Sequence, residues 1–305
     1  MSDTARLSPV RRWAISLRAY SFTASLVPAA LAAALALGSP GRAVWWTLPL
    51  FALSAVLFHA GTNVLNDYYD YRHGVDPPDD PDPTHAITRG VVSPGFMRTS
   101  GHLYFLLGIA VGLPIGLERG WVFVVAGLLG AAGAFFYTNA RFSFKYVALG
   151  DLLVFLLMGP ALVIMGTWAM AGRADGGTVL ASLPIALHVT AIMHGNNLRN
   201  TDSDRESGVV TLAGILGTRA SKALFAALTL LPFVLAGTYA ATGVLPVHAL
   251  LVLVSAPQAV RLTGRVVRTA DPAELVALPL FCARVHLAFG ILYTLGVAVS
   301  EVAPI

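Results

Sequence analysis

Nine stretches of this chain are apolar without alternation: residues 19–38, 43–65, 99–117, 120–139, 147–171, 177–199, 221–242, 245–264 and 275–299. Each comes close to or exceeds the ~20 residues with which an α-helix crosses a hydrocarbon core ~30 Å thick. Continuous rather than alternating runs argue against a transmembrane barrel. The pattern predicts an all-α membrane protein, nine transmembrane helices in a single polytopic domain over 1–305. The longest connection, roughly 71–98, contains Asp76-Pro77-Pro78-Asp79-Asp80-Pro81-Asp82-Pro83. Prolines forbid helix there, and a loop of this length is either functional or plainly solvated. A lid and a solvated connector are both open readings.

Composition agrees with the pattern. Apolar residues make up 56% and charged residues 12% of the chain, about half the charged share of a soluble protein, and the mean hydropathy is +0.71. A net charge of +4 would suggest nucleic acid in a soluble protein, but here the placement of the charges accounts for them and no nucleic-acid partner is expected. If Met1 is cytoplasmic, only Arg42, Arg119 and Arg173 fall outside and Arg284 falls within the last run, while the remaining Lys and Arg residues all lie inside. That asymmetry predicts a multi-pass protein of the cell (inner) membrane, N-terminus in and C-terminus out. The arginines before the first run superficially resemble a signal peptide, yet the run is long and eight more follow, so it reads as the first membrane helix. The single Cys282 sits in an apolar run and reads as a packing residue.

Two polar clusters end long apolar runs. The first is Asn63-Val64-Leu65-Asn66-Asp67-Tyr68-Tyr69-Asp70, and the second is Asn197-Leu198-Arg199-Asn200-Thr201-Asp202-Ser203-Asp204. Both read N-x-x-N-x-x-x-D, a spacing that gathers the three side chains on one helical face. Carboxylates at the end of a membrane helix are costly unless they line a wet cavity or hold a cation. The charge asymmetry puts both clusters on the cytoplasmic side. Facing each other, Asn66, Asp67 and Asp70 on one wall and Asn200, Asp202 and Asp204 on the other would offer hard oxygens to Mg²⁺. Asp67, Asp70 and Asp204 are the candidate catalytic carboxylates. Cations among carboxylates suit a metal-bound diphosphate, so Arg72, Lys145 and Arg199, with Asn63 and Asn197, are assigned to it. His59 and His194, each followed by a nearby glycine, hint at an internal repeat but read as satisfied packing residues. Arg284, deep in the last run, should face the bundle and find a partner. No Walker loop, dinucleotide fingerprint, zinc pattern or nucleophile elbow occurs.

Asn66-Asp67-Tyr68-Tyr69-Asp70 with Gly74 and Asp76 resembles the first Asp-rich motif of the UbiA superfamily of intramembrane prenyltransferases. Asn196-Asn197-Leu198-Arg199 through Asp204, with Thr211-Leu212 and Leu216-Gly217, resembles the second. Asp76 six residues after Asp70, Tyr137-Thr138, Leu149-Gly150-Asp151 and the closing Ala283-Arg284-Val285-His286 are similar to the 1,4-dihydroxy-2-naphthoate polyprenyltransferase (menaquinone) branch. The resemblance implies nine helices around a central cavity that opens sideways to lipid. It also implies Mg²⁺ held through Asn66, Asp67, Asp70 and Asp204, with Lys145 on the diphosphate of a prenyl diphosphate, and an aromatic small-molecule acceptor. Asn200 stands where the second motif usually has Asp, and His85 lies where the family usually carries Arg or Lys.

Such chemistry ionises an allylic diphosphate and shelters the cation in an apolar, aromatic-walled pocket. Phe135, Phe136, Tyr137, Phe155 and Trp168 are candidates for that wall. Two other readings compete: a UbiA-type terpene cyclase, in which an internal double bond captures the cation, and a divalent-cation transporter. Carriers bind near the bilayer midplane, whereas both clusters lie at helix ends. In a Cys282→Ala background, Asp79→Cys and Glu206→Cys should each react with an impermeant maleimide only from the cytoplasmic face; labelling from outside would reverse the placement.

Overall fold

The computed structural model describes residues 8–75, 84–138, 143–269 and 272–302. A short helix α1 (Pro9–Ser16) leads through a 3₁₀ turn, Ala19–Phe22, into α2 (Thr23–Leu37), α3 (Thr47–His73), α4 (Pro94–Arg119) and α5 (Trp121–Phe136). Helix α6 (Gly150–Leu156) passes through a π turn, Leu157–Ala161, into α7 (Leu162–Ala171), and α8 (Gly176–Arg199), α9 (Thr201–Glu206) and α10 (Leu212–Ala241) follow. A 3₁₀ segment, Val247–Ser255, runs into α11 (Ala256–Arg268), and α12 (Leu278–Val302) closes the chain. The architecture is the expected all-α one. Among the described residues, eight helical segments are long and apolar enough to cross a membrane. The ninth expected run forms Trp121–Phe136, ~24 Å at 1.5 Å per residue, because its helix stops before Tyr137. This is a multi-pass membrane protein.

Local chemistry fixes the helix ends. Helix α3 stops at Gly74, whose φ of +67° gives the left-handed cap. Ser93 Oγ accepts the Phe96 N–H at the start of α4. Asp175 caps α8, and the bonds it accepts from Thr178 hold its carboxyl below the usual carboxylate range. Inside α10, Gly217 (φ +71°, ψ 165°) breaks the helix. Pro160 removes an internal hydrogen bond from the α6–α7 rod, and there the rod loosens into its π turn.

Lipid offers no hydrophobic drive between helices, so packing relies on small residues that let backbones approach. A Cβ on Gly101 of α4 would lie 2.6 Å from Leu65 of α3, and one on Gly290 of α12 would lie 2.2 Å from Val27 of α2. The core is filled by Leu31, Ile185, Phe225, Phe289 and Tyr293, all buried, with Tyr293 Oη donating to Ala181 O at 3.0 Å. His59 pairs with Ser21 and Ser25, and His194 with Asp151 and Ser221, so both are satisfied core residues. Arg284 departs from expectation: it is exposed and lies over the Phe281 ring at 5.8 Å. Because α12 begins at Leu278, Arg284 is only six residues from its end, within snorkelling reach.

An apolar cavity of about 180 Å³ lies among α3, α4, α5 and the α6–α7 rod. Its aromatic wall consists of Phe51, Phe58 and Phe123 rather than the five aromatics expected. Phe135 packs edge-on against Phe105, Phe136 is exposed, and Trp168 stands behind Phe123 at 5.4 Å. Apolar runs name the helices but not the faces they turn inward. The π turn borders this cavity through Leu157, Met158 and Ala161.

Gly296 of α12 meets backbone, since an added Cβ would sit 2.3 Å from His248 O, whereas one on Gly237 meets nothing within 4 Å. Gly296→Ala should therefore cost about 1–3 kcal/mol and lower the melting temperature in detergent by several degrees, with Gly237→Ala close to wild type. Equal melting temperatures would contradict this packing.

Candidate active site at one end of the bundle

The last two turns of α3 bury Asn66, Asp67 and Asp70 at 5%, 1% and 2% exposure, although nothing but charge or hydrogen bonding compensates a carboxylate in such a place. Asp70 has that compensation. Its Oδ2 accepts Lys145 Nζ at 2.6 Å and Asn66 Nδ2 at 2.7 Å, and its Oδ1 accepts Tyr146 Oη at 2.8 Å. Lys145 and Tyr146 lie on a 3₁₀ turn, Phe144–Tyr146. That turn is pinned on one side by Ser143 Oγ and Lys145 N–H donating to Tyr137 O. On its other side Ala148, at φ +60°, donates its N–H to Val210 O at 2.8 Å. Residues 147 and 210 form a parallel bridge, so the lysine-bearing turn is tied directly to the loop after α9.

Asp67 is held differently. Its carboxylate accepts the Ala86 N–H and lies near Arg18 and His85, yet its buried Oδ2 has no hydrogen-bond partner. The segment around it, Thr84 to Ile87, is buried and packs with Tyr68 and Met97. This half of the long loop is thus a cover over the first cluster rather than a solvated connector. Asp76–Pro83, including the motif residue Asp76, and Arg141 lie outside the described residues.

Across from α3, Asn196, Asn200, Ser203 and Asp204 turn toward Asp70 and Asn66, enclosing a polar pocket of about 20 Å³, room for one water or metal ion. Its basic groups are Arg18, Lys145 and His85. Arg18 reaches it from a left-handed position (φ 53°, ψ 44°) between α1 and the first 3₁₀ turn.

Besides Asp67, five of the expected site residues do not line this pocket. Asn63 sits two turns deeper than Asp70 and donates to Leu17 O and Ser21 Oγ, fastening the N-terminal segment to α3. Asn197 turns into the bundle and donates to Asp151 Oδ1 at 2.8 Å. Arg72 and Asp202 are exposed on outward faces. Helix α8 ends at Asn200, which caps it and opens α9, so the 197–204 spacing does not run along one helix and its register is lost. Arg199 stands behind the pocket wall, donating to Asn196 Oδ1, Asn200 Oδ1 and Val276 O.

Sequence reasoning missed Arg18, Asn196, Ser203 and Tyr146. For Asn196 a signal was present: Asn196 and Asn200 share the four-residue spacing of Asn66 and Asp70. By sequence Arg18 is one more basic residue on the inner side, because only the fold returns that segment to the clusters.

The donor set fits a hard divalent cation: Asp67 has an orphaned buried oxygen, and the Asp70 and Asp204 carboxylates border one pocket. Among the described residues, no three His, Cys, Asp or Glu side chains stand close enough together to hold a metal ion by themselves. A cation there would complete its shell with water or phosphate oxygens, as Mg²⁺ does.

Two polar walls at the end of an apolar helical bundle agree with what comparison finds: residues 25–296 match the UbiA prenyltransferase family. This chain belongs to that family. UbiA prenyltransferase domain-containing protein 1 homolog of Drosophila melanogaster is 34% identical, over 99% of this chain and 84% of the relative. UbiA prenyltransferase domain-containing protein 1 of Homo sapiens is 30% identical, over 96% of this chain and 87% of the relative. A UbiA homolog from Aeropyrum pernix K1 superposes with a TM-score of 0.68 at 18% identity, covering 93% of this chain and 98% of that one. A UbiA homolog from Archaeoglobus fulgidus, bound to DMAPP and Mg²⁺, gives 0.59 at 15%, covering 92% and 99%. At such identities the structures establish the shared fold. The protein is a prenyltransferase, and its relatives carry the general UbiA name rather than that of the naphthoate branch.

Arg18 is the basic group of this UbiA pocket that comes from the N-terminal segment. Arg18→Gln should weaken inorganic pyrophosphate binding about tenfold, the scale of one charge-assisted hydrogen bond. The shift of the thermal unfolding midpoint with pyrophosphate concentration measures it, and an unchanged titration would remove Arg18 from the site.

Proposed function

We propose that this enzyme carries out Mg²⁺-dependent transfer of a prenyl group from an allylic polyprenyl diphosphate to an aromatic acceptor such as 1,4-dihydroxy-2-naphthoate. One observation carries the reading: a single helix, α3, presents Phe51 and Phe58 to the apolar cavity and Asn66 and Asp70 to the charged pocket. A diphosphate head and a hydrocarbon tail need those two environments in that order. The UbiA homologs from Archaeoglobus fulgidus bound to DMAPP or GPP with Mg²⁺ support it, and the motif spacing supports the naphthoate branch. The orientation proposed is the cytoplasmic one that the basic residues favour.

In this reading Asp67, Asp70 and Asp204 hold the metal, with Asn66 beside them. The bound metal supplies charge neutralisation at the departing diphosphate, worth several kcal/mol in a dry site. Lys145 moves from Asp70 to the diphosphate oxygens, and Arg18 adds a second cation. The C1–O bond breaks with its electron pair leaving on the diphosphate. Phe51, Phe58 and Phe123 keep water from the tail side of the allyl cation. The acceptor ring then donates an electron pair to C1 and, for the naphthoate, rearomatises by losing carbon dioxide.

Purified protein with Mg²⁺ and a panel of allylic diphosphates should form a prenylated aromatic only when an acceptor ring is present. Cyclised terpene from diphosphate alone would favour a cyclase, and no turnover of any diphosphate would favour a transporter. Asp70→Ala and Asp204→Ala should each lower turnover at least a hundredfold while leaving membrane abundance intact. Chelation should do the same reversibly. Near-normal rates in either variant would remove the metal–diphosphate reading.

A further inference from the structure

We infer that Arg199 orients the side-chain amides of Asn196 and Asn200 so that both serve as hydrogen-bond donors to the diphosphate and not as metal ligands. The inference rests on the diphosphate reading above and assigns this wall its share of the work. Arg199 donates through Nε to Asn200 Oδ1 at 2.8 Å and through a terminal nitrogen to Asn196 Oδ1 at 2.9 Å. A guanidinium has five donors, no acceptor, and keeps its proton at any relevant pH. The amide atom facing it in each asparagine is therefore the oxygen. The third direction of the guanidinium is fixed as well, by Val276 O at 3.1 Å ahead of α12.

A planar amide with its oxygen turned to Arg199 presents its NH₂ edge elsewhere, and both asparagines border the polar pocket. What they offer there is donor hydrogens, which suit phosphate oxygens and repel a cation. The remaining lone pair of each oxygen is a poor ligand too, because a metal on it would sit against a guanidinium. The two walls consequently divide the substrate complex. The α3 wall supplies Asp67 and Asp70, whereas the α8 wall supplies amide donors and leaves Asp204 as its carboxylate. This reverses the role expected for Asn200 and brings in Asn196, which the motif spacing passed over. Arg199, behind the wall, is a positioning residue.

The test measures binding rather than turnover, on full-length protein in detergent. Inorganic pyrophosphate is titrated by calorimetry in the presence of chelator, and Mn²⁺ alone is titrated by electron paramagnetic resonance. Asn196→Ala and Asn200→Ala should each weaken pyrophosphate about tenfold and leave Mn²⁺ affinity within about twofold. Arg199→Met should move the two ligands in opposite directions, with weaker pyrophosphate and tighter Mn²⁺, since the freed Asn200 oxygen can then turn inward. A merely structural role for Arg199 would weaken both. Loss of Mn²⁺ binding in Asn200→Ala with pyrophosphate unchanged would overturn the assignment and make Asn200 a ligand. Wild-type protein that binds neither pyrophosphate nor Mn²⁺ would overturn the diphosphate reading itself.

Discussion

The organisation of the charged end depends on neutralising one buried carboxylate. Asp70 lies at 2% exposure in a helix whose other turns are built for lipid and packing, and an uncompensated charge there would cost several kcal/mol. Its three donors come from two places: Asn66 one turn earlier on α3, and Lys145 with Tyr146 on the turn after α5. Meeting that demand recruits the 143–149 segment, and the 147–210 bridge recruits the loop after α9. The two motifs are thereby held opposite each other by a device that is not part of either motif. The contact also sets Lys145 against any cation that Asp70 would hold, because Lys145 Nζ lies 2.6 Å from Asp70 Oδ2.

The second wall is organised by the opposite logic. There a cation lies behind the wall and fixes neutral amides, so electrostatics act through orientation rather than through direct pairing. Asn197, which the sequence pattern places beside them, serves the fold: with His194 it satisfies Asp151, joining α8 to α6 in the interior. Polar residues one position apart thus split between the pocket and the interior, as a helix face change of about 100° demands.

Fold class, the run of membrane helices and the pairing of two Asn/Asp clusters were legible because each depends on local composition or short spacing. Hydropathy located α8 to within one residue, but its run for α3 stopped at residue 65 whereas the helix continues through the polar cluster to His73. For α5 the expected run, 120–139, takes in Tyr137, Thr138 and Asn139, which follow the end of the helix at Phe136. Asn66, Asp70 and Asp204 were legible as pocket residues. Asn63 was not placed correctly, because a seven-residue spacing conserves direction while adding ~10 Å of depth. Asn197 fell away for another reason, the helix break at Asn200, and Asp202 because two residues from Asp204 on α9 it faces about 200° away. Arg18 and Tyr146 are distant in sequence from everything they serve, and only tertiary folding brings them in.

Helix α3 has no proline beyond its first turn and no break between Phe51 and Asp70. At 1.5 Å per residue, Thr62, Phe58 and Phe51 stand about 6, 12 and 22 Å from Asn66 along its axis. Any molecule gripped by its head at the cluster and by its tail in the cavity is measured against one rigid rod. The gauge has no hinge between Phe51 and Asp70. In the proposed reading, the position of the diphosphate head and the reach of its hydrocarbon tail are set along the same helix, counted from Asn66.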